Sequence, residues 1–140
     1  MRILIAVDGS EIALRAVRYA IRLTAELAEP PELHLVYVDE PLLRSVAIHL
    51  GTEGAVRYHA ENGRAATQRA RAALKRAQLE FEEHLPIGEP ASVILKFAKS
   101  ERCDLIVMGS HGRGALKTLF LGSIAGKVLA HAQTPLTIVR

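Results

Sequence analysis

A chain of 140 residues with 49% apolar and 24% charged residues is the size of one domain with one core, and it is too apolar for disorder. Its single cysteine, Cys103, excludes an intrachain disulfide and a cysteine-based zinc site, and 4% aromatics leave an aliphatic core. Lys and Arg (18) exceed Asp and Glu (15) to give a net charge of +3, too mild alone to indicate a nucleic-acid partner.

The apolar run Ile3 to Val7, stopped by Asp8-Gly9-Ser10, reads as a strand buried on both faces. It is too short for a signal peptide or a membrane span of about 20 residues. A cytoplasmic protein with a free thiol is therefore expected. Ser10 is a good N-cap, and Glu11 would sit in the first turn of a helix. Ile12, Ala13, Ala16, Val17, Ala20, Ile21 and Thr24 share one face of that helix, which should end near Ala28, before Pro30 and Pro31. Leu33 to Val38 predicts a second strand. Pro41 to Gly63 has weak periodicity and reads as a loop with some helix.

Arg64 to Ala77 is strongly helical, with Ala66, Ala70, Ala73, Leu74 and Ala77 inward. Leu79 to Ile87 is ambiguous; Pro86 and Gly88 favour an edge strand that ends there. Pro90 suits the first turn of the next helix, whose inner face is Ala91, Ile94, Leu95 and Ala98. Leu105 to Met108 is another buried strand, stopped by Gly109. Ser110 to Leu121 reads as a loop and Ser123 to His131 as a short helix with Ile124, Val128 and Leu129 inward. Leu136 to Val139 closes the chain as a strand.

Strand–helix alternation of this kind implies a parallel sheet with helices on both faces. Ligands bind such sheets beyond the carboxyl ends of strands, where strand order reverses. Two strand ends carry ligand-type residues, Val7-Asp8-Gly9-Ser10 and Met108-Gly109-Ser110-His111-Gly112. Gly109, Gly112 and Gly122-Ser123 form a spaced set, with two and then nine residues between the glycines. Gly109 would let the chain turn sharply. Gly112 would let backbone N–H groups approach an anion, and Gly122-Ser123 would open a helix whose N-terminus suits phosphate.

With these motifs in place, the chain resembles the universal stress protein family over nearly its whole length. The resemblance rests on Ile3 to Glu11, Cys103 to Gly114, Leu119 to Ser123 and Thr134 to Arg140. In that family the glycine–serine spacing marks the ATP-binding branch. The resemblance implies one universal stress protein domain over residues 1–140, a Rossmann-like open five-stranded sheet of order 3-2-1-4-5. It implies ATP, with Mg2+, as ligand. Asp8 would bond the ribose, near the metal–phosphate end. Val38 and the region of Ala6 would offer backbone groups to adenine, and Met108 would flank the nucleotide. Gly109, Gly112, Gly122, Ser123 and the amide of Ile124 would hold ribose and phosphates. The resemblance also implies a homodimer joined through Leu136 to Val139. Tyr37 stands where the family often has His.

Plainer roles accompany these. Asp8 can cap its own turn, the glycines can form a surface loop, and Ser123 can be an N-cap. Gly122 to Lys127 has neither P-loop nor nucleophile-elbow spacing. The six histidines are dispersed, with no zinc-helix pair and no metal expected, and His111 alone lies near the ligand loop. Cys103 reads as a packed residue, and Arg64, Arg69, Arg71, Lys75 and Arg76 as a solvated helix face. Three functions follow. One is an ATP-dependent stress-response module in which ATP orders Gly109 to Gly122 and an unknown protein partner reads the result. The others are a slow ATPase or autophosphorylating enzyme, and a dimerisation module that binds no nucleotide. A membrane partner is not expected.

Overall fold

In the computed structural model, which describes residues 1–112 and 121–140, five strands alternate with four helices. They are β1 (Arg2–Ala6), α1 (Glu11–Ala25), β2 (Glu32–Val36), α2 (Arg44–Arg76) and β3 (Glu82–His84). There follow α3 (Pro90–Ser100), β4 (Leu105–Gly109), α4 (Ser123–His131) and β5 (Leu136–Val139). The strands pair in parallel in the order β3-β2-β1-β4-β5, as expected.

The period of two along each strand sends alternate side chains to opposite faces of the sheet. Ile3, Ile5, Leu33, Leu35 and Val107 pack against Ala13, Val17, Ala20, Ala70 and Leu74, on the face covered by α1 and α2. Leu4, Ala6, Val36, Ile106 and Met108 pack against Ala91, Ile94, Ala98, Ala125 and Val128, on the face covered by α3 and α4. Each buried large aliphatic contributes about 1.5–3 kcal/mol. That is why the central strands read as unbroken apolar runs.

Ser10 caps α1, its Oγ accepting from Ala13 N at 3.1 Å. The helix stops at Ala25, short of the expected Ala28, and adds Leu14 to its buried face while Ile12, Ile21 and Thr24 are half-buried. Pro90 occupies the first turn of α3, where the missing N–H costs nothing, and Glu89 caps it by accepting from Ser92 N at 2.7 Å. Cys103 is buried, and burial, followed by the nearby Glu101 charge, pushes its thiol up to about 11. It is packed and unreactive, as its place in the sequence predicts.

The expected loop from Pro41 to Gly63 is a correction: most of it is helix, the first half of α2. The backbone leaves the helical region only at Gly51, with φ 67° and ψ 175°, a kink that glycine alone adopts without strain. The periodicity is weak because this half buries almost nothing; Ile48 is 72% and Val56 66% exposed. Its second half buries Gly63, Ala66, Thr67, Ala70 and Leu74, close to the predicted face. Of its basic residues, Arg69 pairs with Glu11 of α1 and Arg71 with Glu83 of β3.

In α4 the inward residues are Ala125 and Val128; Leu129, expected inside, is 56% exposed. Gly126 lies mid-helix with space beside it: among the described residues an added Cβ would meet only Leu121 Cδ2, at 3.8 Å, an ordinary contact. Gly126→Ala should therefore raise stability by about 0.5–1 kcal/mol. A thermal melt checks this; an unchanged or lower Tm would be the contrary result.

No helix among the described residues is long and apolar enough to cross a membrane.

Candidate functional site

The crossovers from β1 and β4 leave toward opposite faces of the sheet, so the chain parts beyond their carboxyl ends. A cleft of about 510 Å³ opens there. That volume is ordinary for a small-molecule site, about 300–1,000 Å³. All nine residues singled out in the sequence line it: Ala6 and Asp8 after β1, Val38 after β2, Met108, Gly109 and Gly112 around the end of β4, and Gly122, Ser123 and Ile124 at the start of α4.

The three glycines act by leaving space, each for a different neighbour. A Cβ on Gly109 would meet Ile12 Cγ2 at 2.9 Å and the α1 backbone at 3.2 Å. Gly109 therefore lets β4 and α1 touch. A Cβ on Gly122 would lie 3.2 Å from Ser110 O and His111 Cα, where Gly122 N donates to Ser110 O at 2.8 Å. Gly122 closes the loop back on the strand end. A Cβ on Gly112 would lie 2.6 Å from Asp8 Oδ2. Gly112 thus lets the Asp8 carboxylate, at the first strand end, lie close against it. Residues 113–120, with Arg113, Gly114, Leu119 and Phe120 of the resemblance and most of the stretch expected as a loop, lie outside the described residues.

Asp8 fills its plainer role and still faces the cleft. Oδ1 accepts from Ser10 N at 2.9 Å across the turn at Gly9, whose φ is 82°. Oδ2 points toward Gly112. At the start of α4, Gly122 is the N-cap and supplies no side-chain hydrogen bond to the helix. The first N–H groups of α4 are therefore available to an acceptor lying in the cleft. Ser110, buried, anchors the strand end: its N donates to Val139 O at 2.7 Å, and its Oγ lies 2.9 Å from His111 Nδ1.

The opposite wall is largely apolar. Val36, Val38, Pro90, Ile94, Ala6 and Met108 line it. Tyr37 N donates to His84 O and Asp39 N to Pro86 O, both on the β3 side. Alternation along the chain then turns the N–H and C=O of Val38 the other way, toward the space beyond β1. A flat heterocycle could take both.

Sequence reasoning missed Asp39, Glu40, Pro90 and Ile94 in this wall. Asp39 is the most organised of them. Its carboxylate accepts from Tyr37 Oη at 3.0 Å, His59 Nδ1 at 2.7 Å and Asn62 Nδ2 at 2.9 Å. Burial raises the pKa of Asp39, but these hydrogen bonds outweigh it and hold the carboxyl below its ordinary 3.8. The available signal was an acid directly after a strand, with His59 and Asn62 at helical i, i+3 spacing. Reading 41–63 as loop hid that spacing. Among the described residues no Lys or Arg lines the cleft. An anion here would rest on backbone N–H groups and the Ser123 hydroxyl.

Comparison with known proteins agrees with this architecture. The family model of the Universal stress protein family matches residues 1–140. A universal stress protein of Thermus aquaticus is 39% identical over 141 residues, covering 99% of this chain and 97% of the relative. MJ0577 of Methanocaldococcus jannaschii, a universal stress protein, is 30% identical over 145 residues, covering 95% and 88% of the two chains. The solved structure of MJ0577 superposes with a TM-score of 0.83 at 25% identity over 99% of this chain and 94% of that one. A universal stress protein from Archaeoglobus fulgidus, solved in complex with dAMP, shares the fold with a TM-score of 0.73 at 23% identity, covering 100% and 98%.

Proposed function

The chain belongs to the universal stress protein family, and from that membership and the cleft we propose ATP, carried with Mg2+, as its ligand. The protein then acts in the cytoplasm as a nucleotide-dependent regulatory module of the stress response. Adenine lies against the aliphatic wall, its edge on the backbone of Val38 and near Ala6, with Met108 beside it. The ribose reaches Asp8, and the phosphates lie along Gly109, Gly112, Gly122, Ser123 and the amide of Ile124. The observation that carries this reading is the meeting of Gly112 with Asp8 beside a helix start that has no side-chain cap. A side chain at residue 112 would displace the Asp8 carboxylate that the ribose needs.

ATP supplies a polyphosphate whose charge the α4 N-terminus stabilises; the chain's own residues position it. Among the cleft carboxylates, Asp39 suits binding rather than turnover. The two oxygens of Asp39 are engaged by Tyr37, His59 and Asn62, which leaves that group poorly placed as a base. The module signals through a surface, and β5 offers one. It stands at the edge of the sheet, so a second copy can pair through Leu136 to Val139 about a two-fold axis.

Calorimetric titration of the purified chain with ATP and Mg2+ should give one site per chain, with AMP and dAMP as competitors. Mass spectrometry of freshly purified, denatured protein should release an adenine nucleotide. Absence of heat at millimolar ATP would overturn the assignment. Light scattering on the same sample should read two chains; a monomer at micromolar concentration would remove the β5 pairing.

A further inference from the structure

Two of the dispersed histidines do not stay apart. His34 stands in β2, and Glu82 and His84 are alternate residues of β3, hence on one face of the sheet. Parallel pairing sets His34 opposite Glu82 and Val36 opposite His84. The side chains converge on the α3 side, where the Phe97 ring packs on both imidazoles at centroid distances of 5.6 Å and 4.6 Å. His34 is 1% exposed.

His34 Nδ1 lies 3.2 Å from His84 Nε2 and 3.8 Å from Glu82 Oε2, and the last two are 3.6 Å apart. The nearest point equidistant from these three atoms is therefore about 2.1 Å from each. That is the bond length of Zn–N and Zn–O. We propose that His34 Nδ1, His84 Nε2 and Glu82 Oε2 form a three-ligand site for a divalent transition ion, Zn2+ foremost, at the β2–β3 edge of the sheet.

The donor set fixes the class of ion. Two imidazoles with one carboxylate suit Zn2+ and its first-row neighbours, whereas Mg2+ and Ca2+ take oxygen ligands. The Glu82 side chain is 67% exposed, which gives the ion an entry path and leaves a fourth position to water. Outside the three ligands, His34 Nε2 is buried without a hydrogen bond, 3.3 Å from Glu32 Oε1. An ion on Nδ1 fixes the proton on Nε2, directed at that carboxylate. A ligating histidine with a carboxylate behind it is the usual support of a bound metal. A shared proton between the two imidazoles with the Glu82 carboxylate beside it is the competing account, and it predicts no stoichiometric binding of Zn2+.

The site is separate from the cleft, since none of its ligands lines that space. Bound metal would tie the three-residue strand β3 to β2. The test is titration of the untagged, chelator-treated chain with ZnCl2, without nucleotide. One ion per chain should bind with micromolar or tighter affinity and raise the Tm. Co2+ in its place should give the visible absorption of a tetrahedral site. Glu82→Gln and His84→Gln should each weaken binding by at least tenfold and abolish the Tm rise, while Asp8→Ala in the cleft should retain both. If His84→Gln fails to fold, the exposed Glu82→Gln decides alone. Binding that survives Glu82→Gln undiminished, or no stoichiometric binding by the parent chain, overturns the site.

Discussion

Gly109→Val should destabilise the protein by about 3 kcal/mol or more, while Gly112→Val should fold normally and lose nucleotide. The two glycines sit in one motif and face the same cleft, yet space beside them differs in kind. At Gly109 the nearest atoms to a new Cβ include the nitrogen and carbonyl carbon of the α1 backbone, at 3.2 Å. A helix backbone cannot step aside, and overpacking of this sort costs about 1–3 kcal/mol even before valine adds two methyl groups. Against a total stability of about 5–15 kcal/mol that is a large fraction, worth on the order of 10 °C in Tm. At Gly112 the only atoms within 4 Å among the described residues belong to the Asp8 carboxyl. That side chain can rotate aside at the cost of its bond from Ser10 N, so stability should fall by only about 1 kcal/mol. Swinging it, however, puts a carboxylate and a valine where ribose and phosphate belong, and the ATP affinity should fall at least tenfold. Thermal melts and calorimetry on the two variants read the split. Equal melting temperatures would refute the packing role of Gly109. Undiminished ATP binding by Gly112→Val would refute the placement of the phosphates.

The same distinction explains what the sequence could and could not disclose. Strands β1, β2 and β4 announce themselves because they are buried on both faces, and burial forces an unbroken apolar run such as Ile3-Leu4-Ile5-Ala6-Val7. Strand β3 carries Glu82, Glu83 and His84; its backbone pairs with β2 while its side chains follow no apolar rule. Only flanking Pro86 and Gly88 mark its end. The first half of α2 is unreadable for a related reason: it turns Ile48 and Val56 outward, so no face repeats every 3.6 residues. The cleft floor was legible because it is made by backbone, and glycines spaced around a strand end betray close backbone approach. The cleft wall was not, because Asp39 beyond β2 and Pro90 and Ile94 of α3 reach it from separate parts of the chain that only the tertiary fold brings together.

Asp39→Ala should cost about 3 kcal/mol at pH 7 and progressively less in acid. Asp39 joins three parts of the molecule at the adenine end of the cleft. Its N donates to Pro86 O at 3.0 Å and its O accepts from Gly88 N at 2.9 Å, which tie the end of β2 to the turn after β3. Its carboxylate holds His59 and Asn62 of α2, and Tyr37 beside it. Hydrogen bonds to an ionised group are worth about 1.5–3 kcal/mol each, and truncation also leaves three half-buried donors to find water, so a total near 3 kcal/mol is a restrained figure. The sign with pH follows from linkage. The folded pKa lies below the ordinary 3.8, so folding favours the ionised carboxylate. Its contribution is present in full above the unfolded value and is lost as the pH falls through the folded one. Urea denaturation of the parent and Asp39→Ala chains should therefore show a wide gap in midpoint at pH 7 that narrows below pH 3.8. A gap that stays constant down to acid would mean that Asp39 acts through packing alone, and that the ionised knot between α2 and the end of β2 does not hold the cleft wall in place.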